Sequence, residues 1–237
     1  MARAVTATMP ARWHCAATLK NITASTLWPT FPQWPLINNR SKPIWQTSRT
    51  HVENVLALRG DLPADGRPNN DFPFASDLVT AIKRESDLNI LGACYPDVHP
   101  EADNCVVDVQ HLKEKVDAGV SQLITQLFFE NGHYYNFLER CELAGIKVPI
   151  QAGIMSVINE RQIAKMATMG GVGLPPKFLK MMHHYQDNKI AMRDAGIAYA
   201  VDQIVDLLSE GVDGIHLYTM DNPVVTQRIC SAIKTLI

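Results

Sequence analysis

The chain has 237 residues, 46% hydrophobic and 19% charged, enough to bury a full core in one large domain or two small ones. Its net charge of -2 removes any electrostatic case for nucleic acid or an anionic membrane as a partner, and no apolar run approaches the ~20 residues of a membrane span. Cys15, Cys94, Cys105, Cys141 and Cys230 are scattered and lack C-x-x-C spacing, which argues against a disulfide framework or zinc site and for a reducing cytoplasm.

Residues 1–52 contain no Asp or Glu, yet hold all four Trp (Trp13, Trp28, Trp34, Trp45) and five Pro. They show no sustained period of 2 or 3.6. Residues 1–50 therefore read as an aberrant or disordered segment, and residues 51–237 as the organised part of the chain.

From about residue 51 one unit repeats: an apolar run, a polar loop, then an amphipathic helix ending at Gly. Strands are expected near 54–58, 89–94, 122–128, 148–154 and 214–219. Gly119, Gly145 and Gly211 each sit where a helix needs a residue tolerant of positive φ. Val109, Leu112 and Val116 share one helix face, as do Ile197, Ala200, Ile204 and Leu208. Asn222-Pro223 reads as an N-cap followed by Pro at N1, opening a last helix with Val225, Ile229 and Ile233 inward. Strands alternating with helices imply a parallel α/β sheet, either open or part of a (β/α)8 TIM barrel.

In both architectures the loops after strand carboxyl ends carry the chemistry. Those loops hold Arg59-Gly60-Asp61, Tyr95-Pro96-Asp97-Val98-His99-Pro100-Glu101, Gln126 and Tyr218-Thr219. Asp61 follows a buried run and a Gly that lets backbone approach a ligand; a turn Asp before Leu62-Pro63 is an equal reading on spacing alone. Gln126 lies inside an apolar run, where an unpaired amide costs about 1–3 kcal/mol, so it needs a partner, either a ligand or a backbone group. His99, Glu101 and Asp103 straddle a Pro and make a weak metal pattern; His183-His184 reads as surface. Gly170-Gly171-Val172-Gly173 follows a helix, as a hinge or cap would, and no Rossmann or Walker-type loop is present.

Taken together, Asn54-Val-Leu-Ala-Leu-Arg-Gly-Asp-Leu-Pro63, Phe74-Ala-Ser-Asp-Leu-Val79, Tyr95-Pro-Asp-Val-His-Pro-Glu-Ala102, Leu112-Lys-Glu-Lys-Val-Asp-Ala-Gly119 and Ile124-Thr-Gln-Leu-Phe-Phe129 resemble the catalytic domain of methylenetetrahydrofolate reductases. Gly153-Ile154-Met155 and Gly211-Val-Asp-Gly-Ile-His-Leu-Tyr-Thr219 extend the likeness toward the C-terminus. The resemblance implies a (β/α)8 barrel with FAD at its C-terminal face, of which strands four to eight are recognisable here. It implies NADH or NADPH as reductant of the flavin, and methylenetetrahydrofolate reduced to methyltetrahydrofolate, a step of one-carbon metabolism and methionine biosynthesis. By the same resemblance Arg59, Gly60, Asp61, Ala75, Tyr95, His99, Ala102, Asp108 and Lys115 match FAD-contacting positions. Asp61 and Gln126 are the implied catalytic residues, and with Met166 the implied folate contacts. No metal, nucleic acid or membrane partner is implied, and homo-oligomer formation is left open.

The family's first-strand Phe-Glu-Phe-Phe-Pro-Pro, its Tyr-Gly-Ala loop and its His-Leu-Thr-Cys strand have no counterpart here. Asp221-Asn222 replaces a usual basic residue, Gln151-Ala152-Gly153 a usual Pro-Gly, and Ser156 a usual Pro. A transit peptide and an out-of-frame translation both account for residues 1–50; their Pro and Trp content favours the second, with the family frame resuming near Arg49–Val52. The expectation is a chain that is unstable or aggregates and reduces no folate. The alternative function is then a catalytically inactive remnant retaining at most weak flavin or folate binding.

Overall fold

A computed structural model describes residues 22–25, 54–59, 72–159, 161–162, 166 and 172–237. Most of the segment 1–50, together with Gly60, Asp61, Gly170 and Gly171, lies outside the described residues. The described strands are β1 (Ile22–Ser25), β2 (Asn54–Ala57), β3 (Asn89–Cys94), β4 (Gln122–Thr125), β5 (Ile150–Met155) and β6 (Gly214–Tyr218). Described helices include α1 (Ala75–Glu85), α2 (Cys105–Asp117), α3 (Asn131–Leu143), α4 (Pro176–Tyr185), α5 (Lys189–Ser209) and α6 (Pro223–Ile233).

The described strands all pair in parallel in the order β1-β6-β5-β4-β3-β2. Five of them fall where the apolar runs place them. The sixth, β1, lies within the acid-free segment and was not expected; it pairs Ile22 with Ile215 through Ser25 with Tyr218. Parallel strands need helical crossovers, and each described crossover supplies one.

Helix boundaries follow local chemistry. The Asn104 side chain accepts the backbone N–H groups of Val106 and Val107 at 3.0 and 3.1 Å, which caps α2. Asn188 caps α5 in the same way through Ile190 and Ala191. The expected Asn222 cap is present, accepting from Val225 N–H at 3.1 Å ahead of Pro223. Gly119, Gly145 and Gly211 end α2, α3 and α5 at φ of 127°, 73° and 76°, so each is required for its backbone conformation.

One face of the sheet packs on the helices. Ile90, Cys94, Leu123, Ile150, Ala152, Ile154, Ile215 and Leu217 share a buried cluster with Val109, Leu112, Ile197, Ala200, Ile204 and Ile229. Val116 and Leu208 border it. The intervening strand positions, among them Gln151, Gly153, His216 and Tyr218, face the other side. A second cluster of Leu127, Phe129, Met155, Val157, Met166, Phe178, Met182 and Met192 lies beyond the carboxyl ends of β4 and β5. No helix among the described residues is long and apolar enough to cross a membrane.

Gly196 of α5 lies against the end of β5, where an added Cβ would come within 1.8 Å of the Val157 carbonyl oxygen. Backbone cannot yield to that contact. Gly196→Ala is expected to lose at least about 3 kcal/mol or to fail to fold, whereas Gly132→Ala, which meets nothing within 4 Å, gains up to about 1 kcal/mol. Urea denaturation of both variants checks the contrast. His216 is buried, which pulls its pKa from 6.5 to about 4. The neutral ring therefore contributes stability that is complete above pH 6.5 and lost as pH falls toward 4, at most about 3 kcal/mol. Replacing it by Asn should flatten the stability profile across that window; parallel profiles for the two proteins would refute the assignment.

Candidate active site at the strand carboxyl ends

The loop from Tyr95 to Asn104 leaves β3 and enters α2, and it gathers partners from four neighbouring elements. Val98 stands at its apex with φ of 73°. A β-branched residue in the left-handed region costs about 1–3 kcal/mol, so surrounding contacts must hold it there. Val98 N–H bonds the Tyr95 carbonyl, Ala102 N–H bonds the His99 carbonyl at 2.9 Å, and the Arg140 guanidinium reaches the Pro96 carbonyl at 3.2 Å.

Arg59, just past β2, forms a two-pronged ion pair with Glu101 at 2.7 and 2.5 Å. The Arg59 bond holds the Glu101 carboxyl below the usual range. Its partners are 20% and 48% exposed, so the pair fixes geometry more than it adds stability. His99 is half-buried, its ring edge-on to Tyr95 at 4.5 Å. Asp108 of α2 accepts the His99 backbone N–H at 3.1 Å. His99 Nδ1 accepts the Glu101 N–H at 3.1 Å, so the ring proton sits on Nε2. Burial lowers the His99 pKa against the pull of Glu101 and Asp108, which keeps the ring neutral and its Nε2–H a donor.

Lys115 lies under α2 with its stem beside Gly92, where an added Cβ would crowd Lys115 Cδ at 3.3 Å. Its ammonium donates to the Ala93 carbonyl at 2.7 Å, and burial lowers its pKa. The charges of Arg59, Glu101, Asp108 and Lys115 are all felt at His99. Arg59, Tyr95, His99, Ala102, Asp108 and Lys115 are therefore one cluster. Ala75 opens α1 on the neighbouring strand-to-helix connection, and Gly60 and Asp61 lie outside the described residues.

Gln126 differs from expectation: it follows β4 instead of lying within the strand. Its backbone N–H bonds the Cys94 carbonyl at 2.7 Å while its side-chain oxygen accepts Leu127 N–H at 3.0 Å, which ends the ladder. One face of the amide is thus satisfied locally, and its NH2 is the group left to offer. Met166 is buried in the second apolar cluster beside Leu127. Below Gln126, Thr125 Oγ1 accepts Gly153 N–H at 2.8 Å and the Thr125 carbonyl accepts Tyr218 O–H at 2.9 Å. An added Cβ at Gly153 would lie 2.3 Å from that carbonyl, so only glycine fits.

Asp97 and His133 carry contacts to which sequence reasoning assigned no role, and Gly173, read there as part of a hinge or cap, joins them. The Asp97 carboxylate bonds the His133 ring at the start of α3 and accepts Gly173 N–H at 3.2 Å. His183 and His184 are exposed on α4, as expected. Among the described residues no three His, Cys, Asp or Glu side chains are placed to hold a metal ion. A cavity of about 420 Å³ lined by Tyr135, Glu139, Glu142, Glu210 and Asp213 lies at the amino-terminal side of β6, away from this cluster.

A family model described as methylenetetrahydrofolate reductase matches residues 38–234. The chain is 39% identical over 183 residues to the 5,10-methylenetetrahydrofolate reductase of Escherichia coli (strain K12), covering 77% of this chain and 61% of that protein. It is 37% identical to that of Pectobacterium carotovorum subsp. carotovorum over 77% and 60% of the two chains. Against that of Buchnera aphidicola subsp. Baizongia pistaciae (strain Bp) it is 32% identical over 222 residues, 91% of this chain and 74% of the relative. The chain thus spans about three-fifths of the length of the first two relatives. A solved structure, an uncharacterized protein from Clostridium thermocellum that binds two copies of 5-methyl-5,6,7,8-tetrahydrofolic acid, overlays at a TM-score of 0.47 and 15% identity, covering 69% of this chain and 59% of that one; at that level it bears no weight. The extent of the family match and the identity to its members establish that this chain belongs to the methylenetetrahydrofolate reductase family.

Proposed function

We propose that the chain serves the NAD(P)H-dependent, FAD-mediated reduction of 5,10-methylenetetrahydrofolate to 5-methyltetrahydrofolate. The observation that carries this reading is the cluster at the carboxyl ends of β2 and β3. There a guanidinium, a buried ammonium and a neutral imidazole Nε2–H lie together beside a tyrosine ring. This donor set fits a dinucleotide: two cations and an N–H suit a diphosphate and its ribose, and Asp108 and Glu101 hold the donors in place. A (β/α)8 barrel is the proposed frame, supported by the parallel order in which β1 pairs with β6, the last described strand.

Arg59, His99 and Lys115 would hold FAD, with Tyr95 and Ala102 shaping the wall. Held there, FAD would supply the hydride-transfer chemistry that links the nicotinamide to the folate. Gln126 would present its amide NH2 to the pterin or the nicotinamide, since its oxygen is already engaged by Leu127. Asp61, a catalytic residue by the family resemblance, would supply a carboxylate to the reaction.

The test is anaerobic spectroscopy on the purified chain reconstituted with FAD. Bleaching of the flavin by NADH or NADPH, and its recovery on adding methylenetetrahydrofolate, is the expected result. Bound flavin that neither nicotinamide bleaches, or bleached flavin that the folate leaves unchanged, would contradict the proposal and favour the inactive remnant that the missing first strands lead one to expect.

A further inference from the structure

The loop apex carries a constraint that the reaction itself does not require. Asp97 is nearly buried, its side chain 10% exposed, and both its oxygens are used: one on the His133 ring, the other on Gly173 N–H. His133 lies in the first turn of α3 with its other nitrogen 3.5 Å from Glu130. Seven residues later on the same helix, Arg140 holds the neighbouring Pro96 carbonyl. Two side chains spaced two turns apart on α3 thus grip consecutive loop residues immediately before the left-handed Val98.

Past Val98 the chain must deliver three groups in fixed relation. The His99 N–H meets Asp108, His99 Nδ1 meets the Glu101 N–H, and the Glu101 carboxylate meets Arg59. If Asp97 swung free, Val98 could relax to an extended backbone and all three would shift. Gly173 brings the loop ahead of α4 to the same carboxylate, so the mouths of three βα units share one anchor.

We propose that Asp97 and His133 are positioning residues that lock the β3–α2 loop so that Arg59 and His99 face the flavin diphosphate, an inference that rests on the function proposed above. Neither side chain touches the cofactor in this scheme; both act through the backbone at Val98. His133 is 43% exposed, so its removal opens no core cavity.

FAD affinity of the full chain, by fluorescence quenching, tests this on three variants. His133→Ala should weaken FAD binding about tenfold with thermal stability nearly unchanged, because a charge-assisted bond is lost. His133→Asn, whose amide nitrogen can stand near the Nδ1 position, should restore most of the affinity. Tyr135→Phe removes a different tie of the same helix, to Asp206, and should bind FAD as the parent does. Unchanged affinity in His133→Ala, no rescue by Asn, or an equal loss in Tyr135→Phe would each overturn the proposal. Should the parent bind no FAD, the proposed function fails, and amide exchange decides the positioning role separately. Faster exchange at Val98 and Gly173 in His133→Ala, slowed again in His133→Asn, supports it; unchanged exchange overturns it.

Discussion

Parallel pairing from β2 to β6 puts every strand's carboxyl end on one edge of the sheet, and the site depends on that constraint. Arg59, Tyr95 and Gln126 come from three successive strand ends, and no antiparallel arrangement would bring them to one side. The knot at Thr125 then fixes the spacing of those ends. Its hydroxyl and carbonyl fasten β5 and β6 through Gly153 and Tyr218, with glycine the only residue that fits the gap.

On this platform the charged cluster works by geometry. The Arg59–Glu101 pair is too exposed to matter greatly for stability, yet its two parallel bonds leave the guanidinium one orientation. His99 is held neutral by burial and given one tautomer by the Glu101 N–H. Lys115 is drawn under α2 because Gly92 leaves room for its stem. Each donor is therefore oriented before any ligand arrives, which is how a polar site limits the cost of ordering on binding.

Much of this was legible in the sequence. The strands from β2 to β6 and their Gly-ended helices follow from apolar runs and from Gly119, Gly145 and Gly211, whose positive φ is a local requirement. The Asn222-Pro223 helix start was equally plain. What escaped depends on distant partners. β1 is four residues long and finds its pairing at the opposite end of the chain, so no periodicity announces it. Gln126 read as a buried strand residue because the apolar run continues past it, while its own side chain ends the ladder. Asp97, His133 and Gly173 meet only through the fold, and no spacing rule links a carboxylate in the β3–α2 loop to the first turn of α3, a whole βα unit further on.

In the proposed function Arg59, His99 and Lys115 form a diphosphate cradle. Comparing FAD with riboflavin by equilibrium dialysis against the same protein tests it most directly, since the two share the ring system and differ in the diphosphate and adenosine. Riboflavin should bind more weakly by at least about tenfold, with inorganic pyrophosphate competing against FAD. Equal affinity for the two flavins, untouched by pyrophosphate, would contradict it.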